Sequence, residues 1–416
     1  MQAHTPKQPI IIIGSTILCL SLISVFQLAF PQNAILNKLD IWQVFKQNNT
    51  TTIALNSNKP IYNNDSIANK TNTDVNLIYN DYSNSNYFEK QIKKMQALKN
   101  SNNSFDIIWL GDSFIETDVI VNTMRKQLQQ NYGGAGVGFL PITNNNVNST
   151  SNYTISPKGN WLFKNALQNL NEGAYFLNGT QAITTNNSSV QLKIIDNTNY
   201  TLTNNIAINF LLQNKTNLNA ISFNKTNSCD TNIVLPTNQV VYGATMQSTQ
   251  GVHLHNMSVR GATGLHLQHV DSTVYELVNN HFKPQIIMVQ YGTNVLANNN
   301  TTFTWYKAAY DKAIAILKNK FPDAAIVIIG LPDKASKNNG VFETDAGLPI
   351  ILKWQQETAQ KYNAVFINTY QAMGGHNSIV NWVNSTPTLA YKDYTHLNPT
   401  GEAALGNILY KTIFKH

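Results

Sequence analysis

Short apolar runs, each closed by a small or polar turn, recur along this chain and set the reading of its fold. The first, FDIIWL over residues 105–110, ends at Gly111-Asp112-Ser113. Four more follow far downstream: VHLHNMSV before GATG, QIIMVQYG before TNV, AAIVIIG before LPD, and AVFINTY before QAM. Their length and β-branched content predict strands. Between them lie stretches with helical periodicity, over about 117–131, 304–320 and 350–362, the first closed by Gly133-Gly134. Strands alternating with helices predict a parallel sheet covered on both faces. Ligands of such sheets bind beyond the carboxyl ends of the strands, where these turns lie.

The pattern changes twice. Over 144–250 strand-like pieces (SVQLKIID, YTLTNNIAINFLLQ, NAISFNK, TNIVLP, QVVYG) follow one another with Asn/Thr/Ser turns and little helix. That predicts an antiparallel β-sandwich inserted between residues 104–143 and 251–416, which together form the α/β lobe. Trp161, Phe163, Tyr175, Phe176 and the many amides would suit sugar rings, and they would equally serve as the core of a spacer sandwich. At the other end, PIIIIGSTILCLSLISVFQLAF over 9–30 is uncharged and long enough to cross a bilayer. With Lys7 before it and no convincing cleavage site, residues 1–31 read as an uncleaved signal anchor rather than a removed signal peptide. The bulk of the chain is then expected on the outer side of the cytoplasmic membrane. Residues 32–103 read as a tether with one local helix in NYFEKQIKKMQALKN.

Composition narrows the function. Charged residues are 12% of the 416, about half the usual share, and asparagine, at 60, carries the polar surface instead. Only Arg125 and Arg260 are arginines among 29 basic residues. The net charge of +7 is spread thinly, so no dense cationic stripe exists to track a nucleic acid, and none is expected as a partner. Cys19 and Cys229 offer no disulfide framework. His253, His255, His266 and His269 cluster, yet no carboxylate or thiol pattern completes a zinc site, and no metal or cofactor is expected. GGAGVG at 133–138 follows a helix rather than a strand, so it reads as a cap and turn.

The chemistry gathers at the predicted strand ends. Ser113 lies where a strand turns into a helix and can project at the sheet edge. A serine hydroxyl needs a base within hydrogen-bond reach. Near the carboxyl terminus Asp393 and His396 are three residues apart, just before a helix that Asn398 caps and Pro399 begins. Asp393 can then orient the imidazole, leaving its other nitrogen free to deprotonate Ser113. The Ser113 and Gly261 backbone N–H groups and the Asn294 amide can supply an oxyanion hole. Arg260, Phe114 and Thr293 border the same place and are candidate substrate contacts; Arg260 could equally be held in a surface ion pair.

These blocks resemble those of the SGNH (GDSL-type) hydrolase superfamily: Ser113 within LGDS, then Gly261, Asn294, and Asp393 with His396 in D-x-x-H. The resemblance implies a flavodoxin-like three-layer α/β/α core and an esterase or lipase-type serine mechanism. The segment WLGDSFIETDVIVNTMRKQLQQNYGGAGVGFLP is similar to the first block of envelope peptidoglycan O-acetylesterases, which carry a carbohydrate-binding-like β domain at the place of the 144–250 insert. Two positions depart from that subgroup: Phe114 follows the nucleophile where histidine is common, and Val295 follows Asn294 where an acid is usual. The expected function is removal of O-acetyl groups from a cell-envelope polysaccharide such as peptidoglycan, through an acetyl-serine. A polysaccharide O-acetyltransferase using the same triad, or a non-catalytic glycan-binding envelope protein, are the alternatives.

Overall fold

The computed structural model describes residues 78–99, 101–143, 153–170, 175–194, 206–213, 215–223, 229–296 and 301–415. The expected anchor at 1–31 and most of the expected tether lie outside them. Among the described residues no helix is long and apolar enough to cross a membrane.

In chain order, strand β1 (Tyr79–Asp81) and helix α1 (Tyr87–Gln96) precede strand β2 (Ser104–Gly111). Then come the single-turn helix α2 (Ser113–Glu116), helix α3 (Val119–Tyr132) and strand β3 (Gly136–Leu140). The insert supplies strands β4 (Tyr153–Lys158), β5 (Trp161–Asn165), β6 (Thr180–Thr184), β7 (Ser189–Ile194), β8 (Ile206–Leu212), β9 (Lys215–Phe223), β10 (Cys229–Val234) and β11 (Val240–Ser248). Alternation resumes with β12 (Gly251–Ser258), α4 (Ser272–Phe282), β13 (Ile286–Gln290), α5 (Thr304–Lys320) and β14 (Ala325–Ile329). A hairpin of β15 (Ala335–Asn338) and β16 (Val341–Thr344) leads to α6 (Leu348–Lys361), β17 (Val365–Ile367), α7 (Thr369–Met373), α8 (Ser378–Asn384) and α9 (Pro399–Phe414).

The central sheet runs β1-β17-β14-β13-β2-β12, parallel throughout except for β1. Period-two alternation in β2 explains why its apolar run is continuous. Ile107 and Trp109 pack on one face with Phe88, Leu128 and Leu409, while Ile108 and Leu110 pack on the other with Val278, Ile314 and Ile351. Burying both faces, at about 1.5–3 kcal/mol per large side chain, fixes the three layers. This is the three-layer α/β/α core with a parallel sheet expected from the sequence.

The insert folds into two antiparallel sheets, β10-β7-β4 and β5-β6-β11-β8-β9, with β3 also paired to β11. Ile155, Val190 and Leu192 from the first meet Ala182, Ile208 and Val241 from the second in a shared core. The glycine stretch does more than cap. Gly133 closes α3 at φ 80°, and the chain then becomes β3 of the insert's sheet. A Cβ on Gly136 would lie 2.2 Å from the Met246 carbonyl oxygen, so only glycine lets the two backbones approach. Phe139, Phe176 and Tyr242 stack at 5.1 and 5.3 Å and join the insert to the core beneath α4 and α5. The end of the expected tether is likewise part of the layers: β1 pairs with β17, and Phe88, Ile92 and Met95 of α1 are buried.

His253 and His255 do share a strand face, where both donate to Asp106 Oδ1, at 3.2 and 2.9 Å. That pair lies toward the amino end of β2 and β12, away from Ser113. No cluster among the described residues is arranged to hold a metal ion.

Candidate active site

Ser113 begins α2 directly after β2, with Asp112 as N-cap accepting the Phe114 N–H at 3.0 Å. The helix expected over about 117–131 is α3, and a separate short turn precedes it. Only one turn forms before Asp118 turns left-handed at φ 64°, and α3 starts beyond it. Buried partners hold this unusual backbone. Arg125 grips Asp118 bidentately at 2.9 and 3.0 Å, and the Asn256 amide donates to Ile115 O and Asp118 Oδ1. Sequence reasoning missed this brace, although one of only two arginines in the chain was a visible signal.

Across 283 positions of sequence, His396 Nε2 lies 3.1 Å from Ser113 Oγ. Its Nδ1 is 2.7 Å from Asp393 Oδ2. A carboxylate only accepts, so Nδ1 carries the proton and Nε2 is left to accept from the serine hydroxyl. Asp393 Oδ1 also takes the Thr395 and His396 backbone N–H groups, each at 3.0 Å. Burial opposes the Asp393 charge, but these donors and the nearby imidazole outweigh it and hold the carboxyl below its ordinary range. The loop is pinned from outside as well: Ala335 N–H donates to Tyr394 O at 2.9 Å, and the Phe342 ring stacks on Tyr394 at 3.8 Å. Ser113 is buried, whereas His396 and Asp393 are partly open to solvent, so a substrate can reach the serine from the histidine side.

The expected oxyanion donors come from two further strand ends. Gly261 lies in the loop after β12 at φ 82°, a conformation other residues adopt only under strain. No acceptor among the described residues takes the Ser113 or Gly261 N–H. The Asn294 amide is engaged, donating to Ala262 O at 2.9 Å and to Asp112 Oδ2 at 3.2 Å. Asp112 is fully enclosed. Burial raises its carboxyl to about 7 against the hydrogen bonds from Phe114 and Gln290, and the Glu116 charge adds to the rise.

The three expected substrate contacts fare differently. Phe114 is 5% exposed and packs into the core with Trp109 and Ile115, which removes it from the opening. Thr293 is buried, with an Oγ1 that has no hydrogen-bond partner among the described residues. Arg260 is 65% exposed, but its Nη2 is 2.7 Å from Glu116 Oε2. Lys334 was not anticipated. Half-buried, it donates to Leu296 O at 3.0 Å; burial draws its ammonium down while the carboxylates of Asp345, Asp112 and Asp393 oppose that shift.

Residues 235–404 match the GDSL-like lipase/acylhydrolase family. The matched span holds Gly261, Asn294, Asp393 and His396 but not Ser113, which the insert separates from them in sequence. Among solved structures, one titled "Peptidoglycan O-acetylesterase in action" superposes with a TM-score of 0.65 at 20% identity, covering 80% of this chain and 97% of its own. A putative GDSL-like lipase from Parabacteroides merdae reaches a TM-score of 0.31 at 14% identity, covering 39% of this chain and 73% of its own. An acetyl xylan esterase reaches 0.28 at 13% identity, covering 38% and 80%. No curated protein matches the chain. Residues 235–404 therefore carry the likeness to the GDSL-like lipase/acylhydrolase family, the described residues take the SGNH hydrolase fold, and the protein is a serine hydrolase of the esterase class.

Proposed function

We propose that the protein removes O-acetyl groups from a cell-envelope polysaccharide, with peptidoglycan as the substrate. The observation that carries the chemistry is the unbroken line from Ser113 Oγ through the His396 ring to Asp393, at 3.1 and 2.7 Å. In this reading Ser113 Oγ attacks the acetyl carbonyl carbon while its proton passes to His396 Nε2. Asp393 holds the resulting imidazolium by its Nδ1–H. The carbonyl oxygen, now negative, is held by the Ser113 and Gly261 N–H groups, and by Asn294 once the oxyanion displaces its longer contact to Asp112. Each such donor is typically worth roughly 3 kcal/mol of barrier. The tetrahedral species collapses, His396 returns the proton to the departing sugar oxygen, and acetyl-Ser113 remains. Water, deprotonated by the same nitrogen, then releases acetate.

Support for the polysaccharide comes from the extent of the likeness. This chain spans nearly the whole length of a peptidoglycan O-acetylesterase structure rather than a bare hydrolase core. The reading also places the domain on the outer side of the cytoplasmic membrane, anchored by residues 9–30, and predicts that carbonate washing leaves the full chain with the membranes. Substrate identity is tested by incubating the protein with O-acetylated peptidoglycan and with the same material chemically de-acetylated. Acetate should appear only from the first; label transferred to an added glycan instead of water would identify a transferase.

A further inference from the structure

Both arginines of this chain face the segment that carries the nucleophile. Among 29 lysines and arginines only Arg125 and Arg260 are arginine, and they pair with Asp118 and Glu116, five and three residues after Ser113. Arginine differs from lysine in presenting a rigid planar fork to a carboxylate, so its use at two carboxylates flanking one turn is a geometric choice. The roles of the two differ. Arg125, 1% exposed, also donates from Nε to Leu254 O and so binds the α2–α3 junction to β12. Arg260 lies two residues beyond β12, immediately before Gly261.

Gly261 itself is poorly held. It is exposed, its φ is 82°, and the nearest contact a Cβ there would meet is the Leu167 side chain at 3.6 Å. Glu116 is the opposite: its side chain is 8% exposed, on the same turn as Ser113. The contact to Arg260 Nη2 at 2.7 Å is an ion pair whose angles fall outside those of a good hydrogen bond. It nonetheless joins a buried carboxylate on the Ser113 turn to the exposed loop that carries Gly261.

We propose that the Glu116–Arg260 pair is a strap that fixes the Gly261 N–H relative to Ser113 Oγ. Arg260 and Glu116 are then positioning residues for the oxyanion hole, and Arg260 is not a clamp for a substrate carboxylate. The inference rests on the serine-esterase reading and on Gly261 as an oxyanion donor. A donor displaced from the oxyanion weakens transition-state binding and leaves ground-state binding alone, so the strap acts on kcat and not on KM.

The test uses Arg260→Ala, Arg260→Lys, Glu116→Gln and the double variant Arg260→Ala/Glu116→Gln in the full chain. Steady-state kinetics are measured on p-nitrophenyl acetate, with phenylboronic acid as a tetrahedral probe of the oxyanion hole. Arg260→Ala and Glu116→Gln should each lower kcat by about 10- to 100-fold, with KM moving less than about threefold and boronate inhibition weakening in parallel. Arg260→Lys should recover part of the loss, and the double variant should be no worse than the poorer single one, because both remove one contact. Unchanged kcat and boronate inhibition in Arg260→Ala would overturn the strap. So would a rise in KM confined to carboxylate-bearing esters, which would make Arg260 a substrate clamp. Thermal unfolding of the exposed-site variant Arg260→Ala keeps the result interpretable if Glu116→Gln fails to fold. Ser113→Ala runs alongside: ester turnover surviving in it would sink the nucleophile assignment whatever Arg260 does.

Discussion

Asp112 is caught between two duties, and its neighbours explain why it must be an acid. Oδ1 accepts the Phe114 N–H to start α2, and Oδ2 accepts the Asn294 amide, so both oxygens serve donors that shape the site. Replacing it with asparagine would leave one of those donors facing an NH2 group. Asp112→Asn should therefore misorient Asn294 and lower kcat on p-nitrophenyl acetate by up to about 100-fold, the scale of losing one oxyanion donor. An unchanged kcat would show that Asn294 takes its orientation from Ala262 O alone. Glu402 poses a different problem. Burial raises its carboxyl from 4.5 to about 7 despite the Thr117 hydroxyl, with Asp118 adding to the rise. A pKa raised on folding gives stability that is complete below the unfolded value of 4.5 and lost as pH climbs through about 7. Glu402→Gln keeps an acceptor for Thr117 and removes the titration. Its thermal midpoint, compared with that of the parent protein, should gain steadily between pH 4.5 and 7; a constant difference would contradict this account.

At the scale of elements, the loop bearing Asp393 and His396 owes its shape to a hairpin far from it in sequence. Phe342 of β16 lies flat on Tyr394, whose φ of 54° is a left-handed geometry that a tyrosine adopts only when held. A stacked aromatic pair contributes about 1 kcal/mol, and the Ala335 N–H to Tyr394 O bond adds to it. Phe342→Ala should loosen the Asp393–His396 turn and lower kcat about fivefold to tenfold while KM holds, as steady-state kinetics would show. A change in KM alone would place Phe342 on the substrate instead. The five parallel strands were legible because each is an apolar run buried on two faces, and the D-x-x-H turn was legible because Asn398 and Pro399 mark the helix behind it. The hairpin was not, since β15 and β16 read ASKN and VFET and mix polar with apolar residues in runs of four. Nor was β3, whose alternating glycines look like a loop until β11 lies against them.

For the whole molecule, the division of labour follows from where the insert enters. It leaves after α3 and returns through β12, so it separates Ser113 from the span that matches the GDSL-like lipase/acylhydrolase family by about a hundred and twenty residues of sequence without moving it in space. Parallel pairing of β2 with β12 and β13 brings the Ser113 turn, the Gly261 loop and the Asn294 turn to one edge of the sheet. Sequence alone placed all three at strand ends, the position expected of a nucleophile and its oxyanion donors. It did not reveal the Glu116–Arg260 pair, because an ion pair between distant elements leaves no periodic trace. The insert is also not a detached module: Phe139, Phe176 and Tyr242 run into the same core as α4 and α5, and the His266 ring meets Leu177 O at 3.0 Å. The account as a whole stands on a covalent acetyl-Ser113. The direct measurement is mass spectrometry of protein quenched in acid during turnover of an acetyl ester and then digested. One acetyl group should appear on the peptide containing Ser113 and be missing from protein quenched before substrate is added. Turnover with that peptide unmodified, and the acetyl found on another residue, would contradict it.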